Sequence, residues 1–172
     1  MTAANPMLPG PSARLLFRWW TADDLELARG LWGDPQVTAK IAGEPFTPPQ
    51  IAARLAAEID QGRAHGLQYW PVFLRDDGAH VGCCGLRPRA QGVHELGFHL
   101  RSTFWGRGLA SEAARATVEF AFGPLAARGL FAGHHPDNTA SRHVLLRLGF
   151  RHTHDEWYAA TGAMHPSYRL DR

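Results

Sequence analysis

The passage Phe104-Trp105-Gly106-Arg107-Gly108-Leu109-Ala110-Ser111-Glu112-Ala113 constrains this chain more than any other, because it runs from the end of an alternating segment straight into an amphipathic helix. Amides in a helix's first turn lack intrahelical acceptors, and together with the helix dipole they favour an anion; glycines let the backbone approach it with no Cβ in the way. A pyrophosphate fits such a cradle. Two glycines before a helix also serve backbone geometry alone, so position matters more than the letters. No Gly-Lys-Ser/Thr follows, which excludes a Walker loop, and a third glycine is missing, which argues against a dinucleotide fingerprint. The preceding strand also leaves an antiparallel meander rather than a βαβ unit, so nucleotide binding here needs another geometry.

The flanking segments set this passage in a sheet. A short apolar and aromatic run at 14–19 predicts a strand, and Thr21-Ala22-Asp23-Asp24 predicts a capped helix reaching Trp32. Thr47-Pro48-Pro49-Gln50 starts a second helix with Ile51, Leu55 and Ile59 on one face, ending between Gly62 and Gly66. Three strands follow as a meander: 68–74, where Pro71 cannot donate on one side; 80–86, after the Asp76-Asp77-Gly78 turn; and 93–100. The helix at 109–122 carries Ala110, Ala113, Ala114, Val118 and Ala121 on one face, and these small side chains imply close approach to the sheet. A strand at 130–134, a helix at 139–148 and weaker strands near 151–158 and 167–170 complete the order βααβββαβαββ, an α/β chain with one mixed sheet and helices on both faces.

At 172 residues, 45% hydrophobic and 20% charged, the chain predicts one globular domain over 13–172, behind an arm at 1–12 whose prolines and lack of periodicity predict flexibility. A net charge of +2 with interleaved signs leaves no basic stripe, so nucleic acid is not the favoured partner. Of the 18 basic residues all but Lys40 are arginine, which reads as a coding bias beside the many Ala, Gly and Pro. Cys83 and Cys84 are adjacent in a strand and point to opposite faces, so reduced thiols and a cytoplasmic location are expected. No segment approaches the roughly 20 apolar residues of a membrane span, and the N-terminus has no signal-peptide pattern.

The loop resembles the pyrophosphate loop of GNAT N-acetyltransferases, of the form Arg/Gln-x-x-Gly-x-Gly/Ala, over Trp105-Gly106-Arg107-Gly108-Leu109-Ala110. Trp105 in the first position departs from that form and is similar to the RimJ/RimL-like branch, the ribosomal-protein alanine N-acetyltransferases. Glu95-Leu96-Gly97-Phe98-His99-Leu100 resembles that branch's fourth strand, and the segment from Asn138 to Phe150 its second CoA segment; the likeness spans about 13–171. The resemblance implies a mostly antiparallel sheet of about seven strands, splayed between the fourth and fifth, with four helices. It implies acetyl-CoA as cosubstrate and no metal. Backbone groups of Phe98, His99 and Leu100 would bind the pantetheine arm, the amides of Gly106, Arg107, Gly108, Leu109, Ala110 and Ser111 the pyrophosphate, and Asn138 would face the thioester end. Arg107 and Arg147 are candidate partners for CoA phosphates.

Acetyl transfer needs a neutral amine, a polarised thioester carbonyl and a thiolate able to leave. By the resemblance Glu95 is the candidate base, acting through a water, though a Glu alternating with His94 also fits a solvent-facing position. Ser141 is the candidate acid at the leaving sulfur, though as the third residue of a helix capped by Asn138 it also fits a purely local bond. The tyrosine acid of other branches has no evident equivalent. The acceptor sets how much a base matters: an α-amine of pKa about 8 is ~10% neutral at pH 7, a lysine at about 10.4 far below 1%.

A metal reading of His134, His135 and His143 is weak, since the first two point opposite ways in an extended segment and Asp137 is the only carboxylate close by. The acceptor, a peptide N-terminus or a small-molecule amine, would enter beside 40–49, with Glu44 as the acidic group for its ammonium. Trp19, Trp20, Trp32 and Trp70 fit either that side or the core. Three functions therefore compete: an acetyltransferase, a silent CoA-binding domain, and a histidine-based metal or ligand sensor. A homodimer through an exposed sheet edge is compatible with the pattern.

Overall fold

An antiparallel meander and a parallel crossover meet in the middle of one sheet. The computed structural model describes residues 7–172. Strands β1 (Leu15–Phe17), β2 (Tyr69–Leu74), β3 (His80–Pro88) and β4 (Val93–Leu100) pair antiparallel in sequence order. β5 (Gly129–Gly133) then lies parallel to β4, and β7 (Ala163–Asp171) and β6 (Arg151–Tyr158) close the far side, giving the order β1-β2-β3-β4-β5-β7-β6. The helices are α1 (Leu25–Trp32), α2 (Pro35–Thr38), α3 (Pro48–His65), α4 (Leu109–Phe122) and α5 (Thr139–Arg147). The one-turn α2 is additional to the four expected; the Asp34 carboxylate caps it by accepting from the Gln36 amide at 2.9 Å.

Local chemistry accounts for the boundaries. Thr47 and Gln50 form the reciprocal capping box at the start of α3, and Gly66, at φ +66°, ends it in the left-handed conformation that a Cβ disfavours. Pro71 lies one residue beyond the last β1 pair, Phe17 with Val72, and its carbonyl accepts from the Arg18 amide at 3.4 Å. Its missing N–H thus falls where that ladder stops, as Pro requires. Cys83 and Cys84 point to opposite faces, each buried as a free thiol in a different core layer.

Those layers are unequal. The larger, under α4 and α5, gathers Trp70, Leu86, Leu96, Ala113, Ala114, Phe120, Leu130, Leu145 and Phe150. The smaller, under α1 and α3, holds Trp20, Leu31, Trp32, Ile51, Leu55 and Tyr69. Residues 1–6 of the expected arm lie outside the described residues; within 7–12, Met7, Gly10 and Pro11 are exposed, while Pro9 is buried, Leu8 packs on the larger layer, and the Ser12 hydroxyl donates to Glu112 at 2.6 Å. No described helix is long and apolar enough to cross a membrane.

Candidate active site

β4 is paired along its whole length on one side and for only three residues on the other. The Arg101 amide donates to Val81 and the Val93 carbonyl accepts from Arg89, so the odd-numbered residues of β4 direct their backbone groups at β3. Even-numbered residues direct theirs at β5, where pairing runs from Val93–Gly129 to Glu95–Phe131 and stops. The sheet parts beyond that point, as expected. Phe98 is left with an amide and a carbonyl facing the gap; Leu100 is left with its amide, because Trp105 Nε1–H donates to the Leu100 carbonyl at 2.9 Å. The expectation for His99 needs correcting: its backbone groups are directed at β3, and its side chain instead turns to the α1–α3 face.

At the far end of the gap stands the glycine turn. Gly106 and Gly108 sit at φ +74° and +73°, which glycine alone adopts without strain. The first intrahelical bond of α4 is Glu112 N–H to the Gly108 carbonyl at 3.2 Å, so the amides of Leu109, Ala110 and Ser111 have no helical acceptor. Glu112, an anion in this first turn, is drawn away: it accepts from Arg14 Nε at 2.6 Å and from the Arg14 amide at 2.7 Å.

The gap, the turn and the start of α5 open on one cavity of about 650 Å³. It is lined by Glu95, Phe98, His99, Leu100, Trp105, Gly106, Gly108, Leu109, Ala110, Ser111, Asn138 and Ser141, so twelve of the fourteen sequence-predicted site residues converge. Arg107 and Arg147 do not reach its wall; the Arg107 guanidinium lies over the Phe104 ring, 5.2 Å from its centroid. Asn138 caps α5 by accepting from the Ser141 amide at 3.1 Å, which leaves the Ser141 hydroxyl without a protein partner among the described residues.

The acceptor end is built by side chains that the sequence did not single out. Tyr69, Gly85 and Gly97 are paired neighbours across β2, β3 and β4. The Tyr69 phenol lies over Gly97, where a Cβ would overlap it, and a Cβ on Gly85 would run into the β2 backbone at Gln68 and Tyr69. Trp20 Nε1–H holds the Tyr69 carbonyl at 2.7 Å, and Trp32 Nε1–H donates to His99 Nδ1 at 3.4 Å. Burial first, then the nearby Glu95 carboxylate, push the Tyr69 hydroxyl far above its ordinary pKa, so it stays protonated and can donate. Burial, reinforced by Arg54 and Arg87, holds His99 well below the usual histidine range, and it stands neutral.

Glu95 faces this end, with Oε2 bound to Arg89 Nη1 at 3.0 Å. Glu44 is exposed and off the cavity wall; Lys40, Arg54, Arg87 and Arg89 line it instead. Trp20, Trp32 and Trp70 are core residues, and Trp19 packs against the larger layer, whereas Trp157 on β6 lines the cavity. His143 is exposed, and the other two histidines of that group are engaged locally. His134 Nδ1–H donates to the His135 carbonyl at 2.7 Å while Nε2 accepts from Tyr168 Oη at 3.2 Å, a tautomer assigned from its bonding partners, and His135 Nδ1 accepts from the Asp137 amide at 3.1 Å. No three described His, Cys, Asp or Glu side chains converge as metal ligands would.

Residues 14–151 match the family described as acetyltransferase (GNAT) domain. The uncharacterized N-acetyltransferase p20 of Bacillus licheniformis is 28% identical over 141 residues, 80% of this chain and 79% of that protein. Among solved structures, an acetyltransferase of Agrobacterium tumefaciens has a TM-score of 0.82 at 22% identity, covering 100% of this chain and 99% of that one. RimL, a ribosomal L7/L12 α-N-protein acetyltransferase solved with coenzyme A, has a TM-score of 0.81 at 14% identity, covering 96% of this chain and 98% of that one.

Proposed function

Since the chain belongs to the GNAT acetyltransferase family, we propose that it moves the acetyl group of acetyl-CoA to a primary amine by direct attack in a ternary complex, as a cytoplasmic enzyme of RimJ/RimL-like kind. One observation carries this reading: two separate sets of unpartnered amides, along the β4 gap and at the start of α4, open on the same cavity. The pantetheine arm lies in the gap as an extra strand against Phe98 and the Leu100 amide. The pyrophosphate rests on the amides of 106–111, where the helix dipole favours it. That polarity directs the thioester toward the closed end of the gap, where Glu95, Tyr69 and His99 stand.

Acetyl-CoA supplies a thioester carbonyl open to attack. Tyr69 Oη–H donates to the oxygen that becomes negative as the amine adds, and Ser141 Oγ–H donates to the departing sulfur. Glu95, steadied by Arg89, takes the amine's proton through a water, and the proton ultimately returns to the thiolate. The fully exposed edge strand β6 is where a second copy would pair, which a mass measurement in solution decides.

Melting with acetyl-CoA tests the reading. At a hundred times its Kd, linkage gives about 2.7 kcal/mol, or roughly 5 to 10 °C for a domain of this size. Such a shift, followed by amine-dependent release of free CoA thiol, supports the proposal; no shift over a wide concentration range overturns it.

A further inference from the structure

The acceptor end of the cavity carries unbalanced positive charge, and it is organised. Glu58 is buried, its side chain 0% exposed, and its carboxylate is divided between two arginines: Oε1 accepts from Arg54 Nε at 3.2 Å and from Arg87 Nη2 at 2.5 Å. Oε2 is taken by the Tyr69 amide at 2.9 Å. One negative charge thus serves two guanidiniums. Glu95, the cross-strand neighbour of Arg87, is already bound by Arg89, and Lys40 on the same side has no ion-pair partner among the described residues. The Tyr69 ring forms a platform under both arginines, 4.3 Å from Arg87 and 6.0 Å from Arg54. The Nη atoms of Arg54 make no hydrogen bond among the described residues, and Arg87 Nε is buried without an acceptor.

Glu156 and Asp137 also line the cavity, from β6 and the loop before α5, and keep their own charge; neither bonds Lys40, Arg54, Arg87 or Arg89 among the described residues. The basic wall keeps its excess. Its field extends to the reacting end of the cavity, where Arg54 and Arg87 help to keep His99 neutral. A bare ammonium, such as a polyamine or a lysine side chain, meets the same repulsion. A guanidinium fork matches a carboxylate in both charge and geometry.

We infer that the acceptor is a small amine bearing a carboxylate close to its nitrogen, an amino acid or a relative of one, and that Arg54 and Arg87 hold that carboxylate while the nitrogen faces Glu95. This rests on the acetyltransferase reading above. The carboxylate supplies the counterion that the wall lacks, and it orients the amine toward the closed end of the gap.

The test is the steady-state rate of acetyl-CoA consumption with a panel of amino acids, each offered as the free acid and as its carboxamide. The free acid is expected to exceed the amide in kcat/KM on the order of 100-fold for the best side chain, as loss of a charge-assisted contact implies. In Arg54→Gln, which leaves Glu58 paired with Arg87, that ratio should fall below about 10-fold with the acetyl-CoA melting shift intact. Turnover with equal rates for acid and amide, or better rates for amides and peptides, overturns the inference and leaves the acetyltransferase reading standing. Should no amine turn over, melting with N-acetylated amino acids against their amides still decides it: a shift confined to the acids sustains the carboxylate site, and equal shifts overturn it. The wild-type comparison needs no variant, so a poorly folding Arg54→Gln leaves the test whole.

Discussion

The cofactor half of the cavity is made of backbone and the acceptor half of side chains, and the two halves answer differently to change. Phe98, Leu100 and residues 106–111 offer amides whose positions depend on strand register and on two glycines in the left-handed region. Tyr69, Arg54, Arg87, His99 and Glu95 come from four separate elements, and three of them, Tyr69, Arg54 and Arg87, are tied together by the buried Glu58. A backbone site tolerates substitution of nearly every residue in it except the glycines. A side-chain site can be retuned one residue at a time.

The sharpest way to break this contrast is Gly108→Val. A β-branched residue at φ +73° is strained by about 1–2 kcal/mol and, if accommodated, swings the amides of the turn away from their common focus. We expect acetyl-CoA affinity to drop by a factor on the order of 100, read as loss of most of the melting shift, whereas Ser111→Ala should change it less than about 3-fold because only the amide of Ser111 is asked to act. Equal effects of the two would mean that side chains, not backbone, hold the cofactor.

Tyr69→Phe is the complementary test in the other half. The ring still covers Gly97, so packing and cofactor binding should survive while kcat falls about 100-fold, the usual size of losing one oxyanion donor. An unchanged kcat would confine Tyr69 to a structural role.

The same contrast explains what was legible in the sequence. The glycine turn, the helix after it and the strand before it are local patterns, and so were Asn138 as a cap and Ser141 at the third helical position. The acceptor half depends on contacts between distant residues. Glu44 looked like the ammonium partner because it is the acidic residue of its loop, yet that loop directs Lys40 at the cavity. Arg54, Glu58 and Arg87 lie on a helix and a strand with nothing in their spacing to join them. One signal was present: glycines inside strands mark a close approach, and Gly85 and Gly97 fall in register beneath Tyr69. Reading it required the pairing of β2, β3 and β4.

One buried histidine beside the smaller core layer predicts a pH dependence. His80 packs against Trp20 and Phe73, with ring centroids 5.5 and 5.2 Å away, and both of its ring nitrogens are buried without hydrogen-bond partners among the described residues. Burial, with a smaller push from Arg101, lowers its pKa from 6.5 to about 4. The unfolded chain therefore takes up a proton as pH falls through 6.5 while the folded one resists until about 4, so stability is full above 6.5 and is lost across that window. The drop should approach about 3 kcal/mol for this residue alone, with His99 adding in the same direction. His80→Phe should flatten the melting temperature between pH 6.5 and 4, and an unaltered slope would remove His80 from the account.

The smallest effect expected is electrostatic and lies on the cofactor side. Arg14 binds Glu112 with its guanidinium 48% exposed, so the pair contributes less than about 1 kcal/mol to stability. Its larger consequence is for the anion site one turn away. Without Arg14, the Glu112 carboxylate stands unneutralised at the start of α4, where it competes with a pyrophosphate for the same amides and dipole. Arg14→Ala should weaken acetyl-CoA binding about 3-fold at low salt and hardly at all near 0.5 M, where the Debye length is only about 4 Å. Adding Glu112→Gln to that variant should restore the loss, because the amides themselves are untouched. If the double variant binds no better than Arg14→Ala, the arginine acts through the Arg107 carbonyl, which it also holds at 3.0 Å, and therefore through the shape of the turn rather than its charge.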